Sequence, residues 1–213
     1  MKVGVIGSGL VGQVLADGFL KHGHEVRRGA REPAKLATWR GGAGPMASTG
    51  TFAEAAGFGE LVVLAVKGGA ALSAVEACGA ALDGKVVIDP TNPIADAPPV
   101  NGVLSYSTGP NESLRERLQQ RAPKARFVKA FSCVGNALMV NPKLPGGPPT
   151  MFICGNDAEA KRVVGGVLEQ FGWAREDLGA AEAARAIEPL CILWCVPGFL
   201  RNDWAHAFKV LRP

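Results

Sequence analysis

Histidine is nearly absent from this sequence: His22, His24 and His206 are the three among 213 residues. They show no spacing that suits a metal, and the cysteines offer no cluster to join them, so no metal centre is expected. The five cysteines (Cys78, Cys133, Cys154, Cys191 and Cys195) are scattered and odd in number. No disulfide framework follows from them, and the first strand begins at Lys2. Reduced, buried thiols in a cytoplasmic protein are the expectation. An uninterrupted apolar run long enough to span a bilayer is missing as well. The nearest approach, Ile187 to Leu200, contains Glu188, Pro189 and Pro197, so no membrane partner is expected. The net charge of +4 is mildly attractive to anions but lacks the dense basic stripe of a nucleic-acid binder. No internal repeat and no low-complexity linker breaks the chain.

What is present begins at the N-terminus. Val3, Val5 and Ile6 read as a buried strand, and Leu10 to His22 as a helix with an apolar face. Between them lies Gly7-Ser8-Gly9-Leu10-Val11-Gly12. A glycine at each of the three positions has a separate physical reason. Gly7 permits the tight strand-to-helix turn, Gly9 has no side chain to block a pyrophosphate, and Gly12 lets the helix lie close to the strand. The helix N-terminus then presents free N–H groups and a positive dipole end to phosphates. This predicts a dinucleotide site.

An acid is also missing where an NAD site wants one. The second strand, Glu25 to Arg28, is followed by Gly29-Ala30-Arg31-Glu32-Pro33. A small residue and an arginine suit a ribose 2′-phosphate, because guanidinium pairs with phosphate through a charge-assisted fork. Arg28 and Lys35 add positive charge nearby, while Glu32 is still able to contact a ribose. NADP(H) is favoured over NAD(H).

Further along, Leu61 to Val66 reads as a central parallel strand covered on both faces. In an open α/β sheet the ligand lies at the carboxyl ends of the strands, which places Ala65, Val66 and Lys67 at the cofactor. Thr51 and Glu54 form a capping-box pattern. Lys85 to Asp89 is a strand ending in Asp89-Pro90-Thr91-Asn92-Pro93. The Asn92 amide is placed either to orient a nicotinamide carboxamide or ribose hydroxyl, or to close an ordinary Asx turn. Strands are expected at Arg126 to Phe131, Thr150 to Cys154 and Trp173 to Leu178, and a helix at Ala158 to Phe171. Ala181 to Arg212 has helical character broken by Pro189 and Pro197. Its apolar residues must pack on the sheet, on a second subunit or against a planar ligand. The fold class is a Rossmann-like, doubly wound α/β domain with a mainly parallel sheet over 1–178 and a small C-terminal helical segment over 179–213. A homodimer built partly by that segment is expected.

Several segments together resemble the NADPH-dependent coenzyme F-420 reductases, also called F-420-dependent NADP oxidoreductases. They are Gly7 to Gly12, Ala30-Arg31, Asp89 to Pro93, Val128-Lys129-Ala130-Phe131-Ser132 and His206-Ala207-Phe208-Lys209. The similarity covers nearly the whole chain and extends to the N-terminal domains of animal ferric reductases. It implies NADP contacts at Ser8, Gly9, Leu10, Val11, Ala30, Arg31, Lys35, Val66, Ala70, Asn92 and Gly135. It implies a deazaflavin or flavin lying against the nicotinamide, with hydride passing directly between the rings. Two departures stand out. Ala30 replaces the Ser or Thr common before the arginine, and Ser132 stands where Asn is frequent.

The walls of the acceptor site are expected from Lys67-Gly68, Asn92-Pro93 and Ser132, Cys133, Val134 and Gly135. Ser132, Cys133 and Val134 are the expected substrate contacts. Hydride transfer between stacked rings needs geometry and dryness more than an acid or base, and no catalytic side chain is assigned. Two other functions fit the same residues: NADP-dependent reduction of a small organic substrate, and non-catalytic NADP sensing.

Overall fold

The structure is a computed structural model that describes residues 1–213. Six parallel strands form the main sheet: β1 (Lys2–Ile6), β2 (Glu25–Gly29), β3 (Ala47–Gly50), β4 (Leu61–Leu64), β5 (Val86–Asp89) and β6 (Arg126–Lys129). Their order is β3-β2-β1-β4-β5-β6, so the chain winds outward first to one side of β1 and then to the other. Val3 pairs with Val26 on one side and Leu61 on the other. Both faces of the sheet are covered. The α1 helix (Leu10–Lys21) and α6 (Ala158–Gln170) pack on one, against Val3, Val5, Leu61 and Val63. On the opposite face α3 (Phe52–Phe58), α4 (Ala71–Cys78) and α5 (Leu114–Arg121) pack against Ile6, Val62, Leu64 and Val87. The period-2 alternation of each strand thus feeds two apolar layers, each buried leucine or valine contributing about 1.5–3 kcal/mol. Helix α3 presses so closely on β1 that a Cβ at Gly4 would stand 2.1 Å from the Ala55 carbonyl oxygen.

Local signals start several helices. Thr51 accepts from the Glu54 N–H at 3.2 Å while Glu54 accepts from the Thr51 N–H at 2.7 Å, completing the capping box of α3. Ser113 caps α5 by accepting from the Glu116 N–H, and Asp157 caps α6 by accepting from the Ala160 N–H. A short helix, α2 (Ala37–Gly42), follows a 3₁₀ turn over Pro33–Leu36.

Two strands stand apart from the main sheet. β7 (Thr150–Ile153) and β8 (Ala174–Asp177) pair in parallel around α6, and β7 meets the sheet through an antiparallel bridge between Lys129 and Cys154.

The C-terminal segment differs from its sequence-based expectation. A 3₁₀ turn at Ala181–Ala183, α7 (Ala184–Ile187) and α8 (Leu190–Arg201) run on with little interruption, and Pro197 is accommodated inside α8. The helix stops at Asn202, which takes a left-handed conformation at φ 56°. The expected helical character therefore ends at Arg201 rather than Arg212. The last residues return along β7, where Phe208 accepts a hydrogen bond from the Thr150 N–H at 2.8 Å. Taken as one stretch, Ala181–Arg201 is 21 residues, long and apolar enough by length and composition alone to cross a membrane. In the structure its Glu188 is buried against the sheet domain beside Lys129, at 3.0 Å.

Candidate cofactor cleft

The turn after β1 shows why each glycine stands where it does. Gly7 has φ +139°, and a Cβ there would lie 2.1 Å from the Ala65 carbonyl oxygen. A Cβ on Gly12 would lie 2.7 Å from the Gly7 carbonyl oxygen, so α1 starts tight against the turn. Gly9 is the opposite case. It has ordinary extended backbone (φ −76°, ψ 179°), and nothing lies within 4 Å of its added Cβ. Its missing side chain leaves open space above the N-terminus of α1.

That space belongs to a cavity of about 220 Å³. Gly7, Ser8 and Gly9 line it from the turn, Ala30, Arg31 and Lys35 from the end of β2, and Ala65, Val66, Lys67 and Ala70 from the end of β4. These ten expected cofactor positions are thus brought to one place. Glu32, Phe52, Ser73 and Ala74 complete the lining; nothing in the sequence points to the last three, because each reads as a plain helix residue. Lys35 pairs with Glu32 at the rim at 2.7 Å, both exposed, and this hydrogen bond lowers the Glu32 pKa. No acid occupies the end of β2, which closes with Gly29.

A second cavity, of about 340 Å³, shares Gly9, Ala65, Val66 and Lys67 with the first. Leu10, Val11, Gly68, Pro90, Thr91, Asn92 and Ile94 line it. The two form a continuous cleft along the carboxyl ends of β1, β4 and β5, as a parallel sheet requires of its ligand site. Asn92 is fixed at its wall: Nδ2 donates to the Ser132 carbonyl oxygen at 2.7 Å, while Oδ1 is buried without a partner.

Other expected site residues lie elsewhere. Gly12 is behind the turn, and Pro93 lines neither cavity. Gly135 faces the C-terminal helix, where a Cβ would meet the Trp194 indole at 2.5 Å. Ser132, Cys133 and Val134 are buried, and the last two belong to the core beneath α1 and α6. Burial pushes the Cys133 thiol up to about 12, so it is no ready thiolate. These three, expected as substrate contacts, line neither of the two cavities. Arg28, expected to help hold a 2′-phosphate, is also buried, under the glycine turn rather than in the cleft.

Behind Asn92 lies a charged cluster that the sequence did not reveal. Lys129 Nζ is 3.0 Å from Asp89 Oδ2 and 3.0 Å from Glu188 Oε1, and all three are buried. Burial works against the lysine's charge, but the two carboxylates outweigh it and raise its pKa. Lys129 also donates to the Thr91 carbonyl, while Asp89 accepts from the Thr91 N–H at 2.9 Å. Glu188 further accepts from the N–H groups of Leu114 and Arg115, both at 3.0 Å, at the start of α5. The cluster ties the C-terminal segment, α5 and the Asp89–Asn92 loop together.

Comparison with known proteins agrees with this geometry. A family model described as NADP oxidoreductase, coenzyme F420-dependent, matches residues 2–93. The F420-dependent NADP reductase of Methanocaldococcus jannaschii is 30% identical over 141 residues, 64% of this chain and 61% of that protein. The metalloreductase STEAP3 of Rattus norvegicus is 29% identical over 214 residues, 93% of this chain and 39% of that protein. The chain thus spans less than two thirds of either relative. A candidate F420-dependent NADP-reductase from Arthrobacter sp. FB24 has a crystal structure matching with a TM-score of 0.91 at 32% identity, over 100% of both chains. A reductive aminase from Aspergillus terreus shares the fold, with a TM-score of 0.67 at 22% identity over 94% of this chain and 62% of that one.

Proposed function

Because this chain belongs to the family of coenzyme F420-dependent NADP oxidoreductases, we propose that it binds NADP(H) in the cleft. There it transfers hydride between NADP(H) and a deazaflavin, coenzyme F-420, or a flavin. The observation that carries this is the pairing of an open Gly9 with an acid-free β2 end bearing Arg31. When bound, NADPH supplies a hydride from its nicotinamide ring. The chain's own part is to hold and orient. The N–H groups at the start of α1 would hold the pyrophosphate, and Arg31 and Lys35 would hold the ribose 2′-phosphate. Asn92, held by Ser132, has an unpartnered Oδ1 that would accept from a carboxamide N–H. Leu10, Val11 and Ile94 give the second cavity apolar walls that exclude water from a planar ring. Lys67 is the one titratable residue among its lining, and it pairs with Asp96 at 3.2 Å. That lining suits ring-to-ring transfer better than reduction of a small carbonyl or imine, which calls for a proton donor at the reacting carbon.

The 2′-phosphate assignment is tested by Arg31→Ala. A charge-assisted hydrogen bond contributes about 1.5–3 kcal/mol, so NADPH affinity should fall roughly ten- to a hundredfold while NADH affinity stays nearly unchanged. Calorimetric titration with both nucleotides reads this directly. Equal losses for NADPH and NADH would remove Arg31 from the 2′-phosphate.

A further inference from the structure

Two sites in this molecule bury cationic side chains, and only one of them adjoins the cleft at its glycine turn. At the first, Lys129 pairs with Asp89 and with Glu188, each at 3.0 Å, and the buried Arg115 nearby donates to the Phe127 carbonyl oxygen at 2.7 Å. At the second, Arg28 is 1% exposed and forms no ion pair. Its Nη2 donates to the carbonyl oxygens of Gly7 and Gly9, both at 3.2 Å, and its guanidinium lies 4.8 Å from the Trp39 ring. Its Nε has no partner. Asp17 is the acid whose charge it feels, and the Asp17 Oδ1 is already engaged by the Trp39 Nε1 at 2.7 Å. Burying a cation without a bonded counter-charge is costly. The cost is increased here because the same turn carries the positive end of α1. Two positive elements therefore converge beneath Gly7–Gly9, and the acid near them, Asp17, makes no ion pair with Arg28.

We propose that Arg28 is a positioning residue for the dinucleotide. It is a buried cation behind the glycine turn whose missing counter-charge is the pyrophosphate of the bound cofactor. The inference rests on reading the cleft as a dinucleotide site. Arg28 acts through the Gly7 and Gly9 carbonyls it holds and through its charge, without touching the ligand. The pyrophosphate is common to both nicotinamide cofactors, so Arg28 strengthens NADPH and NADH alike, whereas Arg31 discriminates between them.

Two substitutions separate charge from bracing. Arg28→Gln keeps N–H donors and removes the charge; Arg28→Lys keeps the charge and removes the fork. Full-length proteins are titrated with NADPH and with NADH at low and high salt. Arg28→Gln should weaken both cofactors by roughly ten- to a hundredfold, with a shallower salt dependence than the wild type. Arg28→Lys should stay within about fivefold of the wild type for both. An Arg28→Gln protein that binds like the wild type overturns the proposal alone. So does one that fails to fold, or an Arg28→Lys that loses as much as Arg28→Gln, since either makes the guanidinium only a brace. A wild-type protein that binds neither nucleotide overturns the reading of the cleft and this proposal with it.

Discussion

Gly9→Val should abolish NADPH binding and leave the fold intact. Gly9 already has backbone angles that any L-residue adopts, and no atom lies within 4 Å of the position its Cβ would take. The valine side chain therefore enters the cleft rather than the core, and it occupies the space of the pyrophosphate. A loss of more than about a hundredfold in affinity is expected, because the phosphates lose their approach to the α1 N–H groups altogether. The melting temperature without nucleotide should move little. Gly7 is the control. At φ +139° and 2.1 Å from the Ala65 carbonyl, a valine there strains the backbone and collides with β4, so Gly7→Val should lose the fold itself. Retained NADPH affinity in Gly9→Val, with an unchanged circular dichroism spectrum, would place the phosphates elsewhere.

Lys129→Met should produce a large loss of stability. Methionine matches the length of the lysine stem but leaves Asp89 and Glu188 buried without their cation. Breaking a buried pair in this way costs about 3–5 kcal/mol, roughly 6–20 °C in melting temperature for a chain of this size. Because the folded-state pKa of Lys129 is raised, the lysine's contribution is complete at neutral pH and fades only as pH rises through that value. Removing the carboxylates along with the lysine, as Asp89→Asn and Glu188→Gln, should recover much of the loss. Chemical denaturation measures both variants. A Lys129→Met protein within about 1 kcal/mol of the wild type would show that the cluster does not hold the segments together.

These two predictions mark the line between what the sequence discloses and what it conceals. The Gly7–Gly12 turn, the Thr51–Glu54 capping box and the acid-free end of β2 are local patterns. Their physics acts over a few residues, and the structure repeats it. Glu188 and Leu114 are 74 positions apart, and no spacing rule joins a glutamate beside a proline to the start of α5. Arg28 sits in a strand next to Arg27, and composition alone makes both look solvated; the alternation of β2 sends one inward beneath the turn. Pro197 breaks a helix by local rule, yet α8 continues through it, because packing of Trp194 and Gly198 on the returning tail outweighs one lost backbone bond. Cys133 and Val134 follow a strand end, as ligand-binding residues often do, but here both pack into the core with residues of α1 and α6.

The central claim is hydride transfer from NADPH to a ring acceptor, and one assay addresses it most directly. The protein is incubated anaerobically with NADPH and, in turn, coenzyme F-420, FMN and FAD, following NADPH oxidation together with acceptor reduction. At least one of the three should be reduced in step with NADPH loss, and NADH should be a poorer donor at the same concentration. Tight NADPH binding with no turnover on any of the three would contradict the account and leave a protein that binds the nucleotide without passing on its hydride.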